Sequence, residues 1–272
     1  MTGQRAVDDL PGNQVLSKIF NGLNRQLIRR LWHLTVNGRE NVPKTGAAIL
    51  APNHLAFCDS MFVPGVLDRP LWFIGKGEYM DDWKTRKLFP AMGMIPVDRR
   101  GGSAAAAALD AAATVLDAGE LFGIYPEGTR SRDRKLYKGR TGAARLSVRC
   151  DVPVIPVGLK GTPEIQPPGS VVMKPFKKCT VSFGEPMCAD HFGDGDDPRT
   201  LRYFTDALMH EISLLSGQTY VHEYAGKSSQ QSRAPTSGPE PEPRGQGSRG
   251  PARSLSRPTM AAGPRHVDAF GN

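Results

Sequence analysis

Apolar residues recur at Val15, Leu16, Ile19, Phe20, Leu23, Leu27, Ile28, Leu31 and Trp32, with Lys18, Arg25, Arg29 and Arg30 set among them. Steps of three and four residues predict an amphipathic helix with a basic polar face. Its apolar face has two destinations, the protein's own core or a membrane interface, and one helix can serve both. Beyond a turn at Asn41-Val42-Pro43, the apolar run Ala47 to Leu50 reads as a short buried strand that delivers its end to Asn53 and His54. Further strands are predicted at Leu71 to Ile74, before Gly75-Lys76-Gly77, and at Met94 to Val97, before Asp98-Arg99-Arg100. Ser103 can cap the helix-favouring run Ala104 to Ala118, which Gly119 closes. Leu121 to Tyr125, Val152 to Leu159 and Val171 to Phe183 supply more strands, and Arg199 to Leu215 a last helix. Strands alternating with helices predict an α/β fold: a single domain with a mixed sheet flanked by helices, preceded by the amphipathic N-terminal helix.

Composition changes that picture at one end. From residue 226 to 272 the chain is built of Ser, Pro, Gly, Arg and Gln with almost no large apolar side chains, too little to offset the entropy of ordering it. The expected organisation is therefore a helical segment at 1–35, one folded domain at 36–225 and a disordered tail at 226–272. The formal charge of +8 divides about equally between tail and remainder. A moderately basic folded part suits anionic partners such as phosphates, coenzyme A or acidic lipid headgroups. Nucleic acid fits less well, because Tyr137 is the only aromatic in the basic stretch 130–149 and no nucleic-acid-binding signature is present. Cys58, Cys150, Cys179 and Cys188 form no metal-ligand pattern and are expected as free thiols in a reducing compartment. The polar start of the chain is unlike a signal peptide, and no run of apolar residues is long enough to span a bilayer.

Three segments carry candidate chemistry. The first holds Asn53, His54 and Asp59 just past a strand. On a continuous helix a five-residue offset turns two side chains about 140° apart, so His54 and Asp59 meet only if the segment bends. In that arrangement the carboxylate fixes one imidazole nitrogen and leaves the other as a base facing a hydroxyl. No serine stands in a nucleophile elbow, and Cys58 is poorly placed to pair with His54. The second and third are Gly93 to Arg100 and Pro126 to Arg130, each bringing a guanidinium to a strand end, where its fork of donors matches phosphate oxygens. Gly128 allows close backbone approach, Thr129 can donate, and Glu127 can orient a hydroxyl or Arg130 itself. The apolar, proline-broken run Val152 to Gly158 suits the wall of a pocket.

In order, NHLAFCD, GMIPVDR, PEGTR and VPVIPVGL resemble the four blocks of the glycerolipid acyltransferase family with the NHxxxxD motif, which includes bacterial 1-acyl-sn-glycerol-3-phosphate acyltransferase. The likeness runs from about Val36 to Pro186. It implies His54 as general base and Asp59 as its orienting acid. It also implies that Asn53 shapes the same turn, and that Arg99, Glu127, Gly128, Thr129 and Arg130 serve the glycerol phosphate of the acceptor. Lys76 resembles the family's lysine between the first two blocks, with a phosphate or oxyanion role. Pro96 stands where relatives often carry an aromatic, which bears on the acceptor pocket. The implied reaction moves an acyl group from acyl-CoA or acyl-carrier protein to the sn-2 hydroxyl of 1-acyl-glycerol-3-phosphate (lysophosphatidic acid), giving phosphatidic acid. Another lysophospholipid or a lipid-linked sugar is the alternative acceptor. No metal and no cofactor beyond the acyl thioester is implied, and the expected location is peripheral, on an anionic membrane surface at the cytoplasmic side.

Overall fold

The computed structural model describes residues 14–76, 90, 92–97, 104–195 and 197–226; the side chains of 14–21, 76, 97 and 190 fall outside that description. The expected tail beyond Gly226 lies outside the described residues, as does Arg99. In chain order the elements are α1 (Gln14–Leu31), β1 (His33–Asn37), β2 (Ala48–Pro52), α2 (Asp59–Gly65), β3 (Leu71–Lys76), β4 (Met94–Val97), α3 (Ala104–Asp117) and β5 (Leu121–Gly123). They continue with β6 (Leu136–Tyr137), α4 (Gly142–Cys150), β7 (Val154–Lys160), α5 (Thr162–Ile165), β8 (Lys178–Phe183), α6 (Pro198–Ser216) and β9 (Tyr220–Val221).

Strand order in the main sheet is β1-β8-β7-β2-β5-β3-β4. From β7 to β4 the strands are parallel, whereas β8 runs antiparallel to β7 and β1 parallel to β8, so the sheet is mixed as expected. Successive side chains of a strand point to opposite faces, and the two cores follow that alternation. Ile49, Ala51, Trp72 and Phe122 meet α3, α4 and α6 on one face. Ala48, Leu50, Leu71, Phe73 and Leu121 meet Ile28 of α1 and Phe62 and Val63 of α2 on the other. Helices on both faces explain why β2 and β5 are buried along their whole length.

The amphipathic N-terminal helix divides its apolar residues between two surroundings. Ile28 is buried, and so is Trp32 just past the helix end, where its ring meets Phe62 edge-on at 5.4 Å. Gly65 lets α1 approach closely, since a Cβ there would meet the Ile28 side chain at 2.5 Å. Leu23 and Leu27 remain exposed. The strand predicted from Val171 forms only from Lys178. Pro175 has no amide for a ladder, and Phe176 takes a left-handed φ of 58°, so 171–177 is loop.

Candidate active site

Carboxyl ends of parallel strands open on a common edge, where open α/β sheets gather their ligands. Here β2 delivers Asn53 and His54 to that edge, and β5 delivers Tyr125 through Arg130 beside them, since Leu50 pairs with Gly123. Lys76 ends β3 on the same edge. β4 ends at Val97, and Arg99 beyond it lies outside the described residues.

Asn53 is fully buried, and its side chain bonds to other parts of the protein. Its Nδ2 donates to the Leu159 carbonyl at 3.1 Å and to Gln218 Oε1 at 2.6 Å, while its Oδ1 accepts from the Leu159 amide at 2.7 Å. It therefore ties the end of β2 to β7 and shapes the turn that His54 occupies. The chain bends over the following residues, and α2 begins at Asp59. This bend brings His54 Nδ1 to 2.9 Å from Asp59 Oδ2. The same oxygen accepts the amides of Leu55 at 2.7 Å and Ala56 at 2.8 Å, which holds the bend closed.

Asp59 is fully buried. Because an ionised carboxylate only accepts, Nδ1 carries the hydrogen in a neutral ring and Nε2 keeps its lone pair. Nε2 has no partner among the described residues. The imidazole lies flat on Tyr125, with centroids 3.8 Å apart and planes inclined by 17°. Tyr125 shares a 2.8 Å hydrogen bond between its hydroxyl and Ser60 Oγ. Burial holds the phenol well above its ordinary pKa, so it stays neutral beside the histidine.

Glu127 does a different job from the one its sequence position suggests. Its Oε1 accepts from the His54 amide at 3.1 Å and its Oε2 from the Tyr137 amide at 3.0 Å, and the residue is buried. The carboxylate braces the backbone of the histidine rather than a hydroxyl or Arg130. Burial, opposed by those two amides, pushes its carboxyl up to about 7. Ser131 completes the brace by donating its amide to the His54 carbonyl at 2.7 Å. Gly128 closes the tight turn at φ 73°, its amide donating to the Tyr125 carbonyl at 3.0 Å.

His54, Gly128, Thr129 and Arg130 line one cavity of about 680 Å³. One wall is apolar, built from Phe57, Phe73, Met94 and the small face of α3 at Ala104, Ala105, Ala108 and Ala112. Arg130, Arg140 and Arg145 also line the cavity, and none of the three pairs with a carboxylate among the described residues. The arrangement unites a fixed-tautomer base, an apolar slot and guanidinium donors. Cys58 takes no part, since burial raises its thiol far above the ordinary range and keeps it un-ionised. Among the described residues no group of three His, Cys, Asp or Glu side chains gathers as a metal-ligand set.

Residues 33–160 match the family model described as Acyltransferase. This segment is similar to an acyltransferase domain. The chain is also 31% identical over 131 residues to a 1-acyl-sn-glycerol-3-phosphate acyltransferase of Borreliella burgdorferi, covering 47% of this chain and 52% of that protein. It is 29% identical over 140 residues to a chloroplastic 1-acyl-sn-glycerol-3-phosphate acyltransferase of Arabidopsis thaliana, covering 51% of this chain and 39% of the other. The chain thus matches about half the length, or less, of these named relatives. The crystal structure of the 1-acyl-sn-glycerophosphate acyltransferase of Thermotoga maritima superposes with a TM-score of 0.60 at 25% identity, covering 73% of this chain and 79% of that one.

Among the cavity's lining residues, Ser60, Tyr125, Arg140 and Arg145 escaped the sequence reading. Tyr125 sits directly before the PEGTR block, so its proximity to the site was available from the chain order. Arg140 and Arg145 were hidden in a run of basic residues that reads equally well as the solvated face of α4. Ser60 gives no signal until α2 is known to start at Asp59.

Proposed function

We propose that this acyltransferase moves a fatty acyl group from an acyl thioester, acyl-CoA or acyl-carrier protein, to the sn-2 hydroxyl of 1-acyl-glycerol-3-phosphate, giving phosphatidic acid. The observation that carries the reading is the 2.9 Å His54–Asp59 pair at a cavity that apolar side chains and three arginines also line. The acceptor hydroxyl donates to His54 Nε2. As its oxygen attacks the thioester carbonyl carbon, the proton passes to Nε2, and Asp59 favours the imidazolium that results. Collapse of the tetrahedral intermediate breaks the carbon–sulfur bond, and the leaving thiolate takes that proton back. No covalent enzyme intermediate is required, in keeping with an un-ionised Cys58.

In this reading Arg130 grips the acceptor phosphomonoester, and Thr129 and the Gly128 backbone complete that end of the site. Arg99 and Lys76 belong to the same reading on the strength of the motifs, as phosphate or oxyanion contacts. Glu127 and Asn53 act through His54 by fixing its backbone. The acyl chains occupy the apolar wall, and no cofactor beyond the thioester enters the chemistry. No helix among the described residues is long and apolar enough to cross a membrane. The exposed Leu23 and Leu27 beside Arg29 and Arg30 support peripheral attachment to an anionic membrane, at its cytoplasmic face in this reading. The test is acyl transfer by purified His54→Ala with lysophosphatidic acid and an acyl thioester. Near wild-type turnover would remove the mechanism.

A further inference from the structure

The connection between β7 and β8 carries a surface that acyl transfer itself does not use. Because β8 returns antiparallel to β7, with Thr180 beside Lys160, the whole segment 161–177 stands at the carboxyl edge of the parallel strands, the edge that holds His54. Gln166 ties it to the catalytic segment, its Oε1 accepting from the Cys58 amide at 2.7 Å. The loop is well anchored. The Lys174 amide donates to the Ile165 carbonyl at 2.8 Å, Trp32 Nε1 donates to the Lys174 carbonyl at 2.8 Å, and the Phe176 amide donates to the Leu31 carbonyl at 2.6 Å.

Yet this anchored loop turns its large apolar side chains outward. Val171 is 91% exposed, Val172 73% and Phe176 67%. Phe176 also holds φ at 58°, a conformation that a bulky aromatic adopts only where its surroundings impose it. Lys174, Lys177 and Lys178 are exposed among these residues, and no acid occurs from Gln166 to Gly184. Aliphatic and aromatic tips ringed by lysines, with no carboxylate, complement a surface that is apolar inside and anionic outside.

We propose that residues 167–178 form a bilayer-docking loop. Val171, Val172 and Phe176 enter the interface of an anionic membrane, Lys174, Lys177 and Lys178 remain among the headgroups, and the acyltransferase cavity is thereby set against the surface that holds its lipid. The inference rests on the proposed transfer to a lipid acceptor. It adds a second attachment to that of α1, joined to it through Leu31 and Trp32.

The full chain is tested by co-sedimentation with phosphatidylcholine vesicles, with and without phosphatidylglycerol. Full burial of one such side chain changes a binding constant about tenfold or more, so Val171→Asp with Val172→Asp weakens binding at least about tenfold. Lys174→Glu with Lys177→Glu weakens it only where phosphatidylglycerol is present. Phe176→Gly relieves the left-handed backbone, so it raises Tm while weakening vesicle binding, which separates docking from folding. The same variants slow acyl transfer to acceptor embedded in vesicles and leave transfer to a short-chain, water-soluble acceptor unchanged. Unchanged vesicle binding in all three variants overturns the proposal. So does equal loss with the soluble acceptor, or loss of self-association in place of vesicle binding. Absence of soluble-acceptor activity in the unmutated protein would instead count against the acyl-transfer reading, while the vesicle measurement still judges the loop.

Discussion

The backbone amide of His54 donates to Glu127 Oε1 across 3.1 Å, linking residues 73 positions apart in the chain. That bond makes a buried carboxylate part of the scaffold of the base, and burial raises its carboxyl from the ordinary 4.5 to about 7. Between those values the folded protein keeps a proton that the unfolded chain has already lost. Stability from this group is therefore full at acid pH and declines as pH rises through about 7, by roughly 3 kcal/mol in all. Glu127→Gln removes the titration, although its amide can satisfy only one of the two backbone donors. Urea unfolding at about pH 5 and about pH 8 should show the wild-type advantage over the variant shrinking toward the higher pH. A constant difference would show that Glu127 does not titrate in that window.

Asp59 holds Nδ1 of His54, so its replacement separates orientation from mere presence of a base. His54→Ala should lower kcat at least about a hundredfold. Asp59→Asn should lower it roughly a hundred- to ten-thousandfold with little change in KM, because an amide no longer favours the imidazolium and competes for the wrong tautomer. Cys58→Ala should leave turnover close to wild type, its thiol being buried and un-ionised. Stopped-assay kinetics with saturating acceptor distinguish these outcomes, and strong inhibition by Cys58→Ala would revive a covalent route.

On α1, Ile28 and Leu27 are neighbours in sequence with opposite surroundings. Ile28→Asp places a charge against Phe62 and Gly65 and should cost about 3 kcal/mol or more, seen as a lowered Tm. Leu23→Asp with Leu27→Asp should stay within about 0.5 kcal/mol per site of the parent and weaken binding to anionic vesicles. Equal destabilisation by both variants would mean that the outer face is packed as well.

The strand-end motifs were readable from sequence because hydrophobic runs are local and the sheet has one carboxyl edge on which they converge. Periodicity also showed the N-terminal helix and its basic face. It could not divide that helix's leucines and isoleucine between core and exterior, since the partition depends on where α2 lies. The His54–Asp59 bend followed from the five-residue offset alone. The work of Glu127 did not, because it acts on backbone groups supplied by distant segments, His54 and Tyr137. A short carboxylate or amide beside a motif reads the same whether it faces ligand or amide. Val171 to Phe176 misled for a related reason: β-branched residues suggest a strand, but Pro175 and the outward side chains favour a loop.

Arg130 and Arg140 both line the cavity but differ in their own contacts. Arg130 has no partner among the described residues, whereas the Arg140 guanidinium lies over the Tyr224 ring at 5.5 Å and stands near Gly128. A free fork of donors suits a phosphomonoester, so Arg130→Ala should raise KM for lysophosphatidic acid about tenfold to a hundredfold. Acceptors whose phosphate carries a further headgroup should be affected less. Arg130→Lys should recover only part of the loss, since an ammonium offers charge without the planar fork. Gly128→Ala acts on Arg140. An added Cβ would stand 3.2 Å from Arg140 Nε at φ 73°, costing about 1 to 2 kcal/mol in backbone strain and displacing Arg140. If Gly128→Ala raises KM as Arg130→Ala does, Arg140 shares the phosphate. If stability falls while KM is unchanged, Arg130 alone holds it.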